Sequence, residues 1–94
     1  MILLSPDAVI DVERVRSFLS QRSPDAAKRA LATIWRALEQ VQIFPKLGMQ
    51  TADADIRQIV VHFGSSGYIV RYTVLPGTGD ILVTRLWHGR ETRT

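Results

Sequence analysis

The tetrapeptide Ser-Pro-Asp-Ala occurs twice in this chain, at Ser5–Ala8 and again at Ser23–Ala26. Each copy holds the ingredients of a helix start. A capping serine accepts from first-turn amides that have no partner in the helix. Proline suits the first helical position, and aspartate meets the positive end of the helix dipole. After the first copy, Ala8, Val12, Val15 and Leu19 recur at helical spacing, with Val9 and Phe18 widening the stripe. Asp11, Glu13, Arg14 and Arg16 fill the opposite face. After the second copy the stripe is Ala27, Leu31, Ile34, Leu38 and Val41, with Ala30 and Trp35 beside it. The residues that follow the two copies do not match, so the same capping chemistry is used twice and there is no internal repeat. The second pattern runs to about Gln42 and stops before Phe44-Pro45, because the residue ahead of a proline is pushed out of the helical region. The joint around Gln21 to Ser23 is short, and short joints make antiparallel neighbours, so residues 6–43 predict a helical hairpin.

Beyond Pro45 the period changes. Pro45 to about Asp55 has no periodicity and reads as a loop. Ile56 to Phe63, Tyr68 to Leu75 and Ile81 to His88 are rich in Val, Ile, Tyr and Thr and predict strands. Gly64-Ser65-Ser66-Gly67 and Pro76 to Asp80 separate them as hairpin turns. Met1 to Leu4 supplies a short N-terminal strand. The expected fold is an α+β two-layer domain of order β-α-α-β-β-β, a helical hairpin packed on an antiparallel sheet. With 94 residues, 1–94 form a single domain.

Composition narrows the chemistry. With no cysteine there is no thiolate nucleophile, Cys-ligated zinc or iron–sulfur cluster. The longest apolar runs, such as Ile2 to Leu4 and Ile81 to Val83, are far too short for a membrane span, and the first lacks the basic flank of a signal peptide. A cytoplasmic location is expected. The sequence has no Gly-rich phosphate loop, nucleophile elbow or metal-ligand spacing, and His62 and His88 are the two histidines. Neither a cofactor nor a metal is expected.

The charge is unevenly placed. Residues 1–55 hold seven basic and seven acidic side chains. Residues 56–94 hold Arg57, Arg71, Arg85, Arg90 and Arg93 against Asp80 and Glu91, so the net charge of +3 falls entirely in this part. Arginine carries a planar fork of donors suited to phosphate and carboxylate. The excess reads either as solubilising charge or as an anion-facing surface.

Strand alternation sorts these residues by face. In the middle strand Tyr68, Val70, Tyr72 and Val74 share one side, and Ile69, Arg71, Thr73 and Leu75 the other. In the last strand Ile81, Val83, Arg85 and Trp87 alternate against Leu82, Thr84, Leu86 and His88. Tyr72 and Trp87, taken singly, read as core aromatics with satisfied polar ends, although tyrosine and arginine on a sheet can also stack bases or hold phosphate. A mid-strand Arg85 must reach water or a carboxylate. His88-Gly89-Arg90 closes the strand, with the glycine expected to allow a sharp turn. The trio reads either as a polar strand end or as a proton donor beside a phosphate-holding arginine.

These pieces together resemble the RelE/ParE superfamily of bacterial type II toxins, and most closely its ParE, or plasmid-stabilisation, branch. The resemblance covers nearly the whole chain. It is carried by the first Ser-Pro-Asp-Ala, by Phe44-Pro45-Lys46-Leu47-Gly48 and by Ile56-Arg57-Gln58-Ile59-Val60-Val61. It continues through Tyr68-Ile69-Val70-Arg71-Tyr72 to Arg85-Leu86-Trp87-His88-Gly89-Arg90. It implies a toxin neutralised by a cognate antitoxin, ParD-like or another small DNA-binding protein. ParE-type toxins are associated with poisoning DNA gyrase, whereas RelE-type toxins cut messenger RNA on the ribosome. The RelE pattern relies on several lysines and arginines with a Tyr or His acid/base. This chain has only Lys28 and Lys46, and Glu91 follows the His-Gly-Arg ending where another basic residue is common.

Gyrase inhibition without catalysis is therefore the expected activity. Arg57, Tyr72, Arg85, His88 and Arg90 would form the toxic surface. The alternatives are an endoribonuclease, with His88 as acid/base and Arg57 and Arg85 stabilising charge, or a non-toxic remnant that only binds antitoxin. Phe18 and Trp35 are the candidates for antitoxin contact, and each fits a core position equally well.

Overall fold

A computed structural model of the protein describes residues 1–90, so Glu91 and Arg93 of the charge count lie outside the described residues. Five strands and two helices follow one another as β1 (Ile2–Leu4), α1 (Pro6–Arg22), α2 (Pro24–Ile43), β2 (Met49–Gln50), β3 (Arg57–Phe63), β4 (Ser66–Val74) and β5 (Ile81–His88). Both helices start where the repeated tetrapeptide places them. The Ser5 hydroxyl accepts from the Ala8 amide at 3.1 Å, and that of Ser23 from the Ala26 amide at 3.2 Å. Ser23 also ends α1, its own amide donating to the Leu19 carbonyl at 2.8 Å. One residue thus closes the first helix and opens the second, and the hairpin has no slack at its tip.

The strands form one sheet in the order β1-β5-β4-β3-β2. The sheet is mixed, whereas the sequence pattern predicts an antiparallel one. β1 runs parallel to β5, with Ile2 opposite Ile81 and Leu4 opposite Val83, an arrangement that the long connection through the helical hairpin and the following strands allows. The remaining pairs are antiparallel. The predicted loop also contributes a strand, since Met49 and Gln50 pair with Gln58 and Arg57 on the far edge. The first hairpin turn is tighter than predicted. Ser66 and Gly67 belong to β4, leaving Gly64-Ser65 as the turn, with φ +60° at Gly64. A glycine in the left-handed region at that place suits the twist of a two-residue hairpin.

The helices cover one face of the sheet. The main core joins Ala8 and Val15 of α1 and Ala30, Ile34 and Leu38 of α2 to Val61, Tyr68, Val70, Val83 and Leu86. A smaller cluster of Val41, Tyr72 and Ile81 seals the other end. The β5 faces differ from strict alternation. Arg71 pairs with Arg85 but Tyr72 pairs with Val83, so Thr84 is an extra residue in a bulge. The phase change brings Leu86 to the buried face that Ile81 and Val83 already share. Trp87 belongs to neither cluster and is covered instead by the guanidinium of Arg71, 4.9 Å from its ring.

Candidate functional site

The bulge in β5 and the short reach of β1 together create the central feature of the molecule. β1 pairs with β5 only from Ile81 to Val83, so the next stretch of β5 lacks a neighbouring strand on the side away from β4. Side chains of α1 take the strand's place at Leu86. The Asp11 carboxylate accepts from the Leu86 amide at 2.9 Å, and Arg14 Nη2 donates to the Leu86 carbonyl at 3.2 Å. An open sheet edge is thereby closed by a helix.

The sequence pattern places Asp11 on the polar face of the first helix. It is instead buried, 1% exposed, and both carboxylate oxygens are engaged. Arg85 Nε and Nη2 donate to it at 2.7 and 3.2 Å, a bidentate clamp, and Arg14 Nη1 donates at 2.7 Å. Burial pushes the carboxyl upward, but hydrogen bonds from Arg85, the Leu86 amide and Arg14 outweigh it and hold the pKa at about 2. The carboxylate correspondingly raises Arg85 by direct hydrogen bonding. Arg85 therefore reaches the carboxylate that a mid-strand arginine requires, and the acid comes from the opposite end of the chain.

The other expected surface residues divide in the same manner. Tyr72 is fully buried, contrary to its place in the expected toxic surface. Its hydroxyl donates to the Pro45 carbonyl at 2.7 Å and accepts from the Gly48 amide at 2.9 Å. Gly48 is needed for that approach, since a Cβ there would lie 2.7 Å from the Tyr72 oxygen. Arg57 adds to the same anchor by donating to the Gly48 carbonyl at 2.7 Å. The Pro45-to-Gly48 segment is thus tied to the sheet by Tyr72 and Arg57, which have structural work at the base of α2.

His88 and Arg90 are placed differently. Gly89 does not adopt a positive φ, and its reason is proximity: its amide donates to the Gly67 carbonyl at 2.7 Å, and a Cβ would stand 3.1 Å from that oxygen. Held there, the His88 ring packs edge-on against Tyr68 with centroids 5.3 Å apart, and His88 Nδ1 accepts from the Arg90 amide at 3.1 Å. Both residues border a cleft of about 450 Å³ between the C-terminal half of α1 and the ends of β4 and β5. Arg14 and Arg22 line it from the helix, and Val15, Phe18 and Leu19 give it an apolar side. Phe18 is 52% exposed and Trp35 47%, so neither takes the core position that its helical stripe allowed. Phe18 lines this cleft under the guanidinium of Arg22, at 5.0 Å, whereas Trp35 lies on α2 outside its lining.

Arg14 and Arg22 were not among the expected functional residues. Their spacing from Phe18 on one helix was visible in the sequence, but the sheet end that completes the cleft was not.

The helical hairpin on a mixed sheet is a fold shared with solved structures. The chromosomal ParDE toxin–antitoxin system of P. aeruginosa superposes with a TM-score of 0.71 at 13% identity, covering 93% of this chain and 92% of that one. A chain of the intact E. coli RelBE toxin–antitoxin complex superposes with a TM-score of 0.65 at 15% identity, covering 97% and 98%. At such identities the likeness is one of fold.

Sequence relatives carry the assignment further. The ParE toxin family of type II toxin–antitoxin systems, parDE, matches residues 2–93. Toxin RelE3 of Caulobacter vibrioides (strain ATCC 19089 / CIP 103742 / CB 15) is 33% identical over 90 residues, spanning 96% of this chain and 95% of the relative. Toxin RelE1 of the same strain is 35% identical over 92 residues, spanning 98% and 96%. The chain belongs to the ParE toxin family, and it is the toxin component of a type II toxin–antitoxin system. A cognate antitoxin is implied as its partner. No helix among the described residues is long and apolar enough to cross a membrane.

Proposed function

We propose that this toxin acts in the cytoplasm by binding and disabling DNA gyrase, and that His88 and Arg90 at the end of β5 meet the target. The observation that supports this most is the internal engagement of the other expected groups. Asp11 clamps Arg85, Gly48 holds Arg57, and Tyr72 is buried against Pro45 and Gly48. An RNA-cutting site needs cations positioned for the charge that develops on the transferring phosphate. Here Arg57 and Arg85, the arginines such a site would use, are already committed within the protein. A binding toxin needs only a few exposed anchors on a rigid support, and arginine is prominent among such anchors.

A supercoiling assay with purified gyrase tests the proposal. The toxin at micromolar concentration is expected to block supercoiling and trap a cleavage complex, and unaltered supercoiling would overturn it.

One placement favours a second reading. His88 borders the cleft beside Arg90, where an imidazole is placed to move a proton next to a cation. Together with the RelE names of the Caulobacter relatives, this keeps a ribosome-dependent mRNA endonuclease as the alternative. New codon-phased transcript ends after induction would establish it.

A further inference from the structure

We infer that the outer edge of β3 is a contact between two copies of this toxin, which pair their β3 strands antiparallel across a two-fold axis. The register leaves that edge open. β2 pairs with β3 only at Arg57 and Gln58, so Ile59 to Phe63 has a neighbouring strand on the β4 side alone. Gly64-Ser65 is a two-residue turn, and the residues that flank such a turn, here Phe63 and Ser66, form a hydrogen-bonded pair. Bonded pairs then alternate. Ile59 and Val61 therefore also turn their amides and carbonyls toward β4, while those of Val60 and His62 point away from the sheet. Two donors and two acceptors line this edge, which carries no proline, lysine or bulge to discourage pairing. The opposite side of the sheet is guarded: β1 is three residues long, and Asp11 and Arg14 occupy the amide and carbonyl of Leu86. With one open edge per copy, pairing closes at two.

Side chains beside the edge supply the area. Ile43, Phe44, Leu47 and Met49 are each more than half exposed, and Val60 is half exposed. Two open clefts run among them, one bordered by Leu47, Met49 and Val60 and the other by Ile43, Phe44 and Leu47. Five apolar side chains at this exposure offer on the order of 500 Å² per copy, at the upper end of what a monomer leaves open. With a polar rim that approaches the roughly 800 Å² per partner of a stable interface. Lys46 is the one charge that lines either cleft, and Gln58 to Phe63 holds no Lys, Arg, Asp or Glu. A two-fold axis sets a surface against itself, so a neutral apolar edge suits a second copy, whereas a charged partner would find little here to select it. Antiparallel pairing brings the Phe63 end of one β3 beside the Leu47 and Met49 end of the other, and does so twice. The contact is independent of the toxin's target.

The test is analytical sedimentation of the purified full-length toxin over a concentration series from micromolar upward, with amide exchange read by NMR on the same samples. The wild type is expected to pass from monomer to dimer, and the Val60 and His62 amides to exchange about tenfold more slowly in the dimer. Val60→Lys, which brings two cations together across the axis, is expected to raise the dimer dissociation constant about tenfold or more. Val60→Pro removes a donor that the monomer fold does not use, so it is expected to keep the unfolding midpoint and lose the dimer. Phe18→Asp, at a half-exposed side chain on α1, is expected to leave the dimer intact. Thermal unfolding checks that each variant folds; if Val60→Pro does not, Val60→Lys decides, and if neither does, exchange in the wild type decides. A wild type that stays monomeric, an assembly larger than two, or a dimer that persists in the folded Val60 variants would overturn the proposal. So would a dimer lost only in Phe18→Asp. Protection of the two amides that appears only with the antitoxin bound would also overturn it, and the edge would then belong to the antitoxin.

Discussion

Arg85 and Arg90 stand a few residues apart on the same strand and its extension, yet their surroundings are opposite. Arg85 is clamped from the side by a buried carboxylate that also caps the open edge of β5. Arg90 lies exposed in the turn beyond β5, at the rim of a cleft. Family resemblance had grouped them in one toxic surface, but their partners separate them. One holds a helix to a sheet, and the other is displayed. A residue's place in a family pattern therefore does not say whether its charge is available to a partner; the identity of what already touches it does.

The comparison can be broken most forcefully at Asp11. Asp11→Ala leaves two arginines and the Leu86 amide without their acceptor, and should cost about 3 kcal/mol of stability, measured by urea denaturation. A loss under 1 kcal/mol would mean that the clamp is incidental.

Acid should act on the same group. The folded carboxyl titrates at about 2 against an ordinary 3.8, so its stabilisation is complete above about pH 4 and lost as pH falls through about 2. The wild type should lose roughly 2 kcal/mol across that window through this group, and Asp11→Asn should flatten that part of the profile. Tyr72→Phe removes the partner of the Gly48 amide and of the Pro45 carbonyl, and about 1 to 2 kcal/mol should go with it. At the displayed end the expected stability effect is smallest. Arg90→Ala should stay within about 0.5 kcal/mol of wild type in the same denaturation experiment.

The helical hairpin was legible because helix starts are local. Ser5 and Ser23 cap within their own first turns, and nothing distant can alter that chemistry. The parallel placement of β1 was not legible, since a run of three residues carries no sign of its partner's direction. Nor was the burial of Asp11. On a helical wheel it lies at the border of the apolar stripe, between Val15 and Phe18, and the arginine and amide that hold it buried come from the far end of the chain.

The Thr84 bulge has the same origin. Alternation grouped Val83 with Arg85, but an extra residue changes the phase, and only the pairing with Arg71 and Tyr72 reveals it. Tyr72 carried a partial signal. It read singly as a core aromatic, and the Pro45-to-Gly48 segment that satisfies its hydroxyl appeared in the sequence as an unpatterned loop. For the candidate site, His88 and Arg90 were legible as a strand end. Their neighbours Arg14, Phe18 and Arg22 belong to a helix whose packing angle no sequence period specifies.

That the displayed end of β5 carries the activity, and the clamped middle does not, is tested most directly by growth after induced expression of Arg90→Ala. The variant is expected to accumulate folded, with an unfolding midpoint like that of wild type, and to arrest growth no longer. Full growth arrest by the folded Arg90→Ala protein would contradict the assignment and return the toxic surface to another part of the molecule.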